Sequence, residues 1–284
     1  FIGASTTYCA EVSGNDQVWT ELVSRKLEEQ LPGMEVDYIN GGVPGYTTTQ
    51  SMTNLRGRML PLDPDVVVIY HATNDVANET RAIATQRGVK KANLATEESA
   101  MSRYSVLWLL VEKNLAIKGA TNVEPSELID IDTAQLGETF RDNLRTLVKD
   151  AYAGGVKLVA LATFSTHVRP GMSPEQVDKA MESARYYMPY LAPETYMGAF
   201  SRYNDIIREV AAETGALLID DAERIPGDPV HFNDSVHFTD AGSRVQSERV
   251  AESLMQSRAF LDLANSIVPA LGAGKPGLAQ HAAE

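Results

Sequence analysis

The run Asp65-Val66-Val67-Val68-Ile69-Tyr70 decides the fold of this chain. Its consecutive β-branched residues predict a strand buried on both faces, which is typical of a central strand in a parallel sheet. On either side of this run, short apolar stretches alternate with segments whose apolar residues recur at helical spacing. The alternation predicts an α/β protein, in which right-handed crossover helices cover both faces of a parallel sheet.

The other predicted elements follow the same pattern along the chain. Further strands are expected at residues 1–2, 35–39, 156–163 and 216–219. Helices are expected at 19–31, 48–60, 133–152 and 239–255, together with a long helical region that ends near Gly215. We therefore expect about five parallel strands in a single domain, residues 1–271. Residues 272–284 are rich in Gly, Ala and Pro, and they predict a frayed tail.

Two stretches, residues 76–132 and 165–198, are longer than the crossovers need and are expected to be insertions above the sheet. The first carries apolar side chains at helical spacing that are predicted to pack on the core: Tyr104, Leu107, Trp108, Val111 and Leu115. Between Arg185 and Phe200 the chain is rich in tyrosine and interrupted by Pro189 and Pro193, so this part is either a lid over a binding site or a surface loop held by its own aromatic rings. The candidate substrate contacts of the second stretch are His167, Tyr186, Tyr187 and Tyr190.

Composition and charge exclude several classes of function. The 284 residues include 25 Lys and Arg against 38 Asp and Glu, a formal net charge of −13. Such a chain repels a phosphate backbone, so nucleic acid is not an expected partner. The longest apolar runs are far shorter than the roughly 18 residues of a membrane span. The single cysteine, Cys9, excludes a disulfide framework within the chain.

The chain begins without Met, inside what the pattern predicts to be a strand. We therefore expect an upstream piece that this sequence does not contain, which leaves an extracytoplasmic or membrane-anchored location open. Oligomeric state is not predicted.

Polar groups that suit acyl transfer follow the first three predicted strands. Ser5 follows the first strand and Asn74 follows the third. The second strand is followed by a stretch that is expected to be wholly loop, Asn40-Gly41-Gly42-Val43-Pro44-Gly45. The carboxyl ends of parallel strands meet at one edge of the sheet, where ligands bind. A serine nucleophile also needs a base and a carboxylate that orients it.

The segment after the fifth predicted strand contains two successive Asp-x-x-His strings, Asp228-Pro-Val-His231 and Asp234-Ser-Val-His237. An Asp three residues before a His can accept its Nδ1 hydrogen across a tight turn and leave Nε2 free. Only the second string runs directly into a predicted helix, and proline stiffens the first. We therefore predict His237 as the base and Asp234 as its orienter, with His231 as the alternative.

Each of these residues also has a purely structural interpretation. Serine, asparagine and aspartate serve as turn or cap residues, and glycines supply positive backbone angles. The joint placement of Ser5, Asn74, Asp234 and His237 along one edge favours catalysis.

The four blocks resemble, in order, those of the SGNH hydrolases, also called GDSL lipases and esterases. They are Gly3-Ala4-Ser5-Thr6-Thr7, Asn40-Gly41-Gly42-Val43-Pro44-Gly45-Tyr46, Ala72-Thr73-Asn74-Asp75 and Asp234-Ser235-Val236-His237. Ala4 and Thr6 replace the Asp and Leu of the name motif, and Ala72 replaces a glycine. None of these departures removes a catalytic group.

The resemblance implies a flavodoxin-like three-layer α/β/α sandwich and an enzyme that needs no metal or organic cofactor. It implies Ser5 as nucleophile and an oxyanion hole formed by the Ser5 N–H, the Gly42 N–H and the Asn74 amide. The expected reaction is hydrolysis of a carboxylic ester of a small molecule, sugar or lipid. An O-acyltransferase with the same triad and a non-catalytic carbohydrate-binding module are the alternatives.

Overall fold

The fold is a five-stranded parallel sheet, seen in a computed structural model that describes residues 1–89 and 128–273. Its strands are β1 (Ile2–Gly3), β2 (Gly41–Gly42), β3 (Val66–Tyr70), β4 (Leu158–Ala162) and β5 (Leu217–Ile219). They lie in the order β2-β1-β3-β4-β5, and every neighbouring pair is parallel. This is the flavodoxin-like strand order, and it confirms the predicted three-layer sandwich.

Ten helices in the described part of the chain connect and cover the strands. They are α1 (Ser5–Tyr8), α2 (Trp19–Gln30), α3 (Thr48–Asn54), α4 (Thr73–Gln86), α5 (Glu138–Ala153), α6 (Pro174–Ala180), α7 (Glu182–Tyr187), α8 (Pro193–Thr214), α9 (Asp240–Gln256) and α10 (Arg258–Ala273). The sequence pattern predicts α2, α3, α5 and α9, and the long helical region expected to end near Gly215 is α8. It does not predict α10, whose Pro269 and Gly272 are unfavourable in a helix.

The central strand is buried as its sequence predicts. β3 pairs with β1 on one side and with β4 on the other. Tyr70, at its carboxyl end, stacks on Phe164 with ring centroids 4.7 Å apart, and it meets the edge of Trp19 at 5.9 Å. These rings form the core directly beneath the edge where the polar residues converge.

The second strand is not where the pattern predicts it. Residues 35–39 form no strand, because α2 side chains hold their backbone: Glu28 accepts the Val36 N–H at 3.1 Å, and the Ser24 hydroxyl donates to the Val36 carbonyl at 2.6 Å. The strand that pairs with β1 is instead the glycine pair of β2, which was expected to be loop.

Only glycine fits the position that β2 occupies between β1 and α1. A Cβ at Gly42 would lie 2.4 Å from the backbone nitrogen of Tyr8, and one at Gly41 would lie 2.7 Å from the Phe1 carbonyl oxygen. The close approach of the backbones therefore explains why a strand here lacks the β-branched residues by which strands are recognised.

A buried guanidinium holds the carboxyl ends of β4 and β5 together. Arg249, which is 1% exposed, donates to the carbonyl oxygens of Thr163, Ile219 and Asp220 at 2.5, 3.0 and 2.8 Å. Burial lowers the pKa of Arg249 to about 10, so the side chain stays charged at neutral pH. The clamp stabilises the strand ends from which the site loops emerge.

Segment 165–198 packs into the domain, and this corrects both the lid and the surface-loop hypotheses for its most buried rings. Tyr190 and Tyr196 are 1% and 0% exposed, and the Tyr190 hydroxyl donates to the Ala77 carbonyl of α4 at 3.3 Å. A ring held in the core in this way cannot cover an acyl chain or stack on a sugar.

Of the other long stretch, residues 76–86 belong to α4. The apolar set predicted over 104–115, and the predicted tail beyond residue 273, lie outside the described residues. Within residues 1–89 and 128–273, no helix combines the length and the apolar character required to cross a membrane.

Candidate active site

Ser5 lies at a sharp turn between β1 and α1. A Cβ at Gly3 would lie 2.7 Å from the Tyr70 carbonyl oxygen, so only glycine allows α1 to fold back over the strand end. Ser5 is the first residue of α1 and is half-buried, and an N–H at this position has no acceptor within its own helix. The Trp19 indole N–H donates to the Thr6 carbonyl at 3.0 Å and fixes α1 against α2.

The structure brings together the three residues that the sequence predicts as a triad. His237 Nε2 lies 2.9 Å from Ser5 Oγ, and His237 Nδ1 lies 2.8 Å from Asp234 Oδ2. The other carboxylate oxygen of Asp234 accepts the backbone N–H groups of Val236 and His237, both at 2.9 Å. One turn of four residues therefore sets both the position and the orientation of the imidazole.

Asp234 is held in its ionised form. Burial opposes ionisation, but the hydrogen bonds from the His237 side chain and from the two backbone N–H groups outweigh it, so the pKa of Asp234 lies below its ordinary value. An ionised carboxylate accepts the Nδ1 hydrogen, which leaves Nε2 of the neutral ring as an acceptor for the Ser5 hydroxyl.

The first Asp-x-x-His string forms the same turn at a different place. Asp228 Oδ1 lies 2.8 Å from His231 Nδ1 and accepts the His231 N–H at 3.0 Å. The His231 carbonyl packs against α9, where a Cβ at Gly242 would come within 2.1 Å of it. Among the described residues none bonds to His231 Nε2, whereas His237 contacts Ser5. The turn is thus common to both strings, and only its location distinguishes them.

The predicted oxyanion donors differ in whether they are free. The Gly42 N–H donates to Asn40 Oδ1 at 3.0 Å, so the prediction for Gly42 is corrected, because its only hydrogen is used inside the loop. Asn74 donates one amide hydrogen to the Tyr46 carbonyl at 2.8 Å, and a carboxamide carries a second. Next to Tyr46, Gly45 is exposed and has a positive φ of 81°.

Asn74 is positioned by its neighbour in α4. The Asp75 carboxylate accepts the N–H and the hydroxyl of Thr48 at 3.1 and 2.5 Å, which joins α4 to the start of α3.

His71 Nε2 lies 2.8 Å from Ser51 Oγ, and its Nδ1 lies 3.9 Å from Asp75. Burial lowers the pKa of His71 to about 3 and raises that of Asp75 to about 6. This second Ser-His-Asp row is buried, so its role is structural.

Segment 165–198 supports the loop that carries Asp234. The Ser235 N–H donates to Ser183 Oγ at 3.0 Å, and the His167 N–H donates to the Ser235 carbonyl at 2.9 Å. The His167 ring stacks on Phe232, and its Nδ1 lies 3.2 Å from the Asp234 carbonyl oxygen. Burial lowers the pKa of His167, so the ring is neutral at pH 7. We therefore assign His167 to loop support rather than to substrate contact.

The predicted tyrosine contacts divide into two groups. Tyr190 lies in the core, which corrects its assignment as a substrate contact. Tyr186 and Tyr187 are half-buried, with their rings edge to face at 4.9 Å. A contact between these two rings and a substrate stays a prediction.

One charged group near the triad has no signal in the sequence. Glu11 Oε1 lies 3.9 Å from His237 Nε2, and the Glu11 side chain is 34% exposed. Asn233 donates to the Glu11 carbonyl at 3.1 Å, and Ser13 donates its N–H and hydroxyl to Asp240 at 2.8 and 2.6 Å. The carboxylate thus lies at the mouth of the site on an anchored loop.

Comparison with known proteins places the chain in a family. Residues 1–245 match the model of the GDSL-like Lipase/Acylhydrolase family. No curated protein matches the chain. Similar solved structures include the acetyl xylan esterase AlAXEase, at 15% identity and TM-score 0.53 over 89% of this chain and 97% of that one. A lipase/acylhydrolase from Enterococcus faecalis is 19% identical, with TM-score 0.52 over 89% of this chain and 92% of that one. An acetylxylan esterase from Geobacillus stearothermophilus is 16% identical, with TM-score 0.54 over 91% of this chain and 94% of that one.

At these identities the solved structures establish a shared fold, whereas the family model covers most of the sequence. This chain therefore belongs to the GDSL-like lipase/acylhydrolase family and is a hydrolase.

Proposed function

We propose that this hydrolase cleaves carboxylic esters through a covalent acyl-Ser5 intermediate. The observation that carries the proposal is the continuous row of hydrogen bonds from Asp234 through His237 to Ser5, with lengths of 2.8 and 2.9 Å. The row ends on a half-buried hydroxyl at the carboxyl edge of the sheet, where a substrate has access. A serine paired with an oriented imidazole is suited to attack a carbonyl carbon.

In the acylation step, His237 Nε2 takes the proton from Ser5 as Oγ bonds to the carbonyl carbon, and Asp234 stabilises the imidazolium that forms. The intermediate then collapses, the bond from the carbonyl carbon to the alcohol oxygen breaks, and the Nε2 proton passes to that oxygen. In the second step water attacks the acyl carbon while Nε2 takes its proton. The bond from the acyl carbon to Ser5 Oγ then breaks, Nε2 returns the proton to Oγ, and the carboxylic acid leaves.

The negative charge on the tetrahedral intermediate requires free donors. The Ser5 N–H and the second amide hydrogen of Asn74 supply two of them. For the third we assign the Gly45 N–H in place of Gly42, because the turn over residues 43–46 adjoins Asn74 and no described group accepts the Gly45 hydrogen.

The tests are single substitutions measured with p-nitrophenyl esters. Ser5→Ala is expected to lower kcat by several orders of magnitude without changing thermal unfolding, with the remaining rate due to the oxyanion donors and substrate binding. Ser201→Ala, at an exposed position of α8, serves as the control. Asn74→Ala is expected to lower kcat by about a hundredfold, as for one lost oxyanion donor. Substantial turnover by Ser5→Ala would place the nucleophile elsewhere.

A further inference from the structure

The Glu11 carboxylate stands beside the atom that passes a proton to the leaving alcohol. His237 Nε2 lies 2.9 Å from Ser5 Oγ and 3.9 Å from Glu11 Oε1. In acylation by Ser5, the leaving oxygen must come within hydrogen-bond distance of Nε2 to receive its proton. The alcohol part of the substrate is therefore formed, and departs, next to Glu11.

Charge restricts which alcohols suit this position. An anionic alcohol would be repelled by the Glu11 carboxylate at a distance of a few ångströms. A cationic alcohol would be attracted by Glu11 but repelled by the His237 imidazolium that forms during the reaction, so the two effects oppose each other. An uncharged alcohol that carries a further hydroxyl meets neither penalty, and its O–H is a suitable donor to a carboxylate.

The distances allow that hydroxyl to lie on the carbon next to the one that carries the ester. The leaving oxygen is about 3 Å from Nε2, and a hydroxyl bound to the carboxylate is about 2.7 Å from Oε1. The two protein atoms are 3.9 Å apart, so a substrate oxygen bonded to one of them can lie within about 3 Å of a substrate oxygen bonded to the other. The oxygens on adjacent carbons of a vicinal diol have this separation.

We propose that Glu11 binds a free hydroxyl next to the scissile ester, and that the preferred substrates are acyl esters of vicinal diols, as in a partly acylated sugar. This inference rests on the proposed function, because it needs the alcohol to leave past His237. Glu11 is then a specificity-determining residue.

The loop geometry supports a binding role because the carboxylate is held in advance. The Glu11 carbonyl is bound by Asn233, four residues before His237, and the loop is fastened again by the bonds from Ser13 to Asp240 at the start of α9. The loop of Glu11 and the turn of His237 are therefore tied to each other. A preorganised acceptor loses little entropy when a hydroxyl binds.

The test compares 2-hydroxycyclohexyl and 2-methoxycyclohexyl esters of the acyl group that the protein cleaves fastest as its aryl ester. A methyl group replaces the hydrogen donor in the second, and the Glu11 variants separate the loss of the donor from the added size. We expect wild-type protein to favour the hydroxy ester by about tenfold in kcat/KM, the lower end for a hydrogen bond to a charged group. Glu11→Ala should bring the ratio to about 1. Glu11→Gln keeps an acceptor oxygen and should leave about threefold.

The control is Glu29→Gln, which makes the same change of charge at an exposed position of α2 and should keep the wild-type ratio. The assignment of Glu11 is overturned if wild-type protein has nearly equal kcat/KM for the hydroxy and methoxy esters, or if Glu11→Ala keeps the wild-type ratio of the two values. Neither result affects the proposal that Ser5 hydrolyses esters. If wild-type protein cleaves no aryl ester, or if Ser5→Ala cleaves it equally well, the proposed function fails and the inference fails with it.

Discussion

Replacing His237 and His231 by alanine, one at a time, compares two turns of the same geometry with different neighbours. Both histidines have an Asp oxygen 2.8 Å from Nδ1, and both Asp residues accept the backbone N–H of their histidine. What differs is the atom at Nε2, which is Ser5 Oγ for His237 only.

The expected effects on rate differ by several orders of magnitude. His237→Ala removes the base of a unit whose members act together, so kcat should fall by about 10⁴ to 10⁶, with the remainder due to the oxyanion donors and substrate binding. His231→Ala removes a hydrogen bond to a carboxylate that is 42% exposed, which should cost about 1 kcal/mol of stability. Its kcat should stay within about twofold of wild type, because it does not contact Ser5.

The assay is steady-state hydrolysis of p-nitrophenyl acetate and butyrate, with thermal unfolding measured on the same samples. Added imidazole should restore part of the activity of His237→Ala, because the space vacated by the ring adjoins Ser5. Comparable losses of kcat in the two variants, or a larger loss in His231→Ala, would refute the assignment of the base.

Further predictions concern the residues that support the site. The folded state holds His71 neutral down to a pKa of about 3, so it binds fewer protons than the unfolded chain and loses stability as pH falls below 6.5. Between pH 6.5 and 4, the free energy of unfolding of His71→Gln, measured with urea, should fall by about 3 kcal/mol less than that of wild type. An equally large fall in both proteins would contradict the buried neutral state of His71. Ser183→Ala leaves the Ser235 N–H unpaired and should lower kcat several-fold with KM unchanged, since the Asp234 loop loosens. An unchanged kcat would argue against that support. Arg249→Met leaves the acceptors at the ends of β4 and β5 unpaired and should lower the free energy of unfolding by about 3 kcal/mol; a loss below about 1 kcal/mol would count against the clamp.

The features that follow from local chemistry are predictable from the sequence. The β-branched run of β3 specifies a buried strand, and helical spacing specifies α5. The turn of an Asp-x-x-His string depends on four adjacent residues, so the contact between Asp234 and His237 is also predictable. The turn alone does not distinguish His237 from His231, because both strings form it. The helix predicted directly after the second string favours His237, which the structure places beside Ser5.

Other features depend on contacts between distant segments. β2 consists of two glycines, since the approach of β1 and α1 excludes any Cβ, and the usual strand pattern is therefore absent. Gly42 loses its predicted role through a hydrogen bond to Asn40 that no motif indicates. Glu11 lies near His237 because its loop is fastened to Asn233 and Asp240, more than two hundred residues later.

The central claim is that Ser5 is the nucleophile and that the Asp234 and His237 pair activates it. Labelling with a fluorophosphonate, followed by peptide mass mapping, tests this most directly, because the reagent forms a stable bond to an activated serine oxygen. The account predicts one adduct on Ser5, formed far more slowly in His237→Ala and at the wild-type rate in His231→Ala. An adduct on another residue, or labelling of Ser5 that is indifferent to His237, would contradict it.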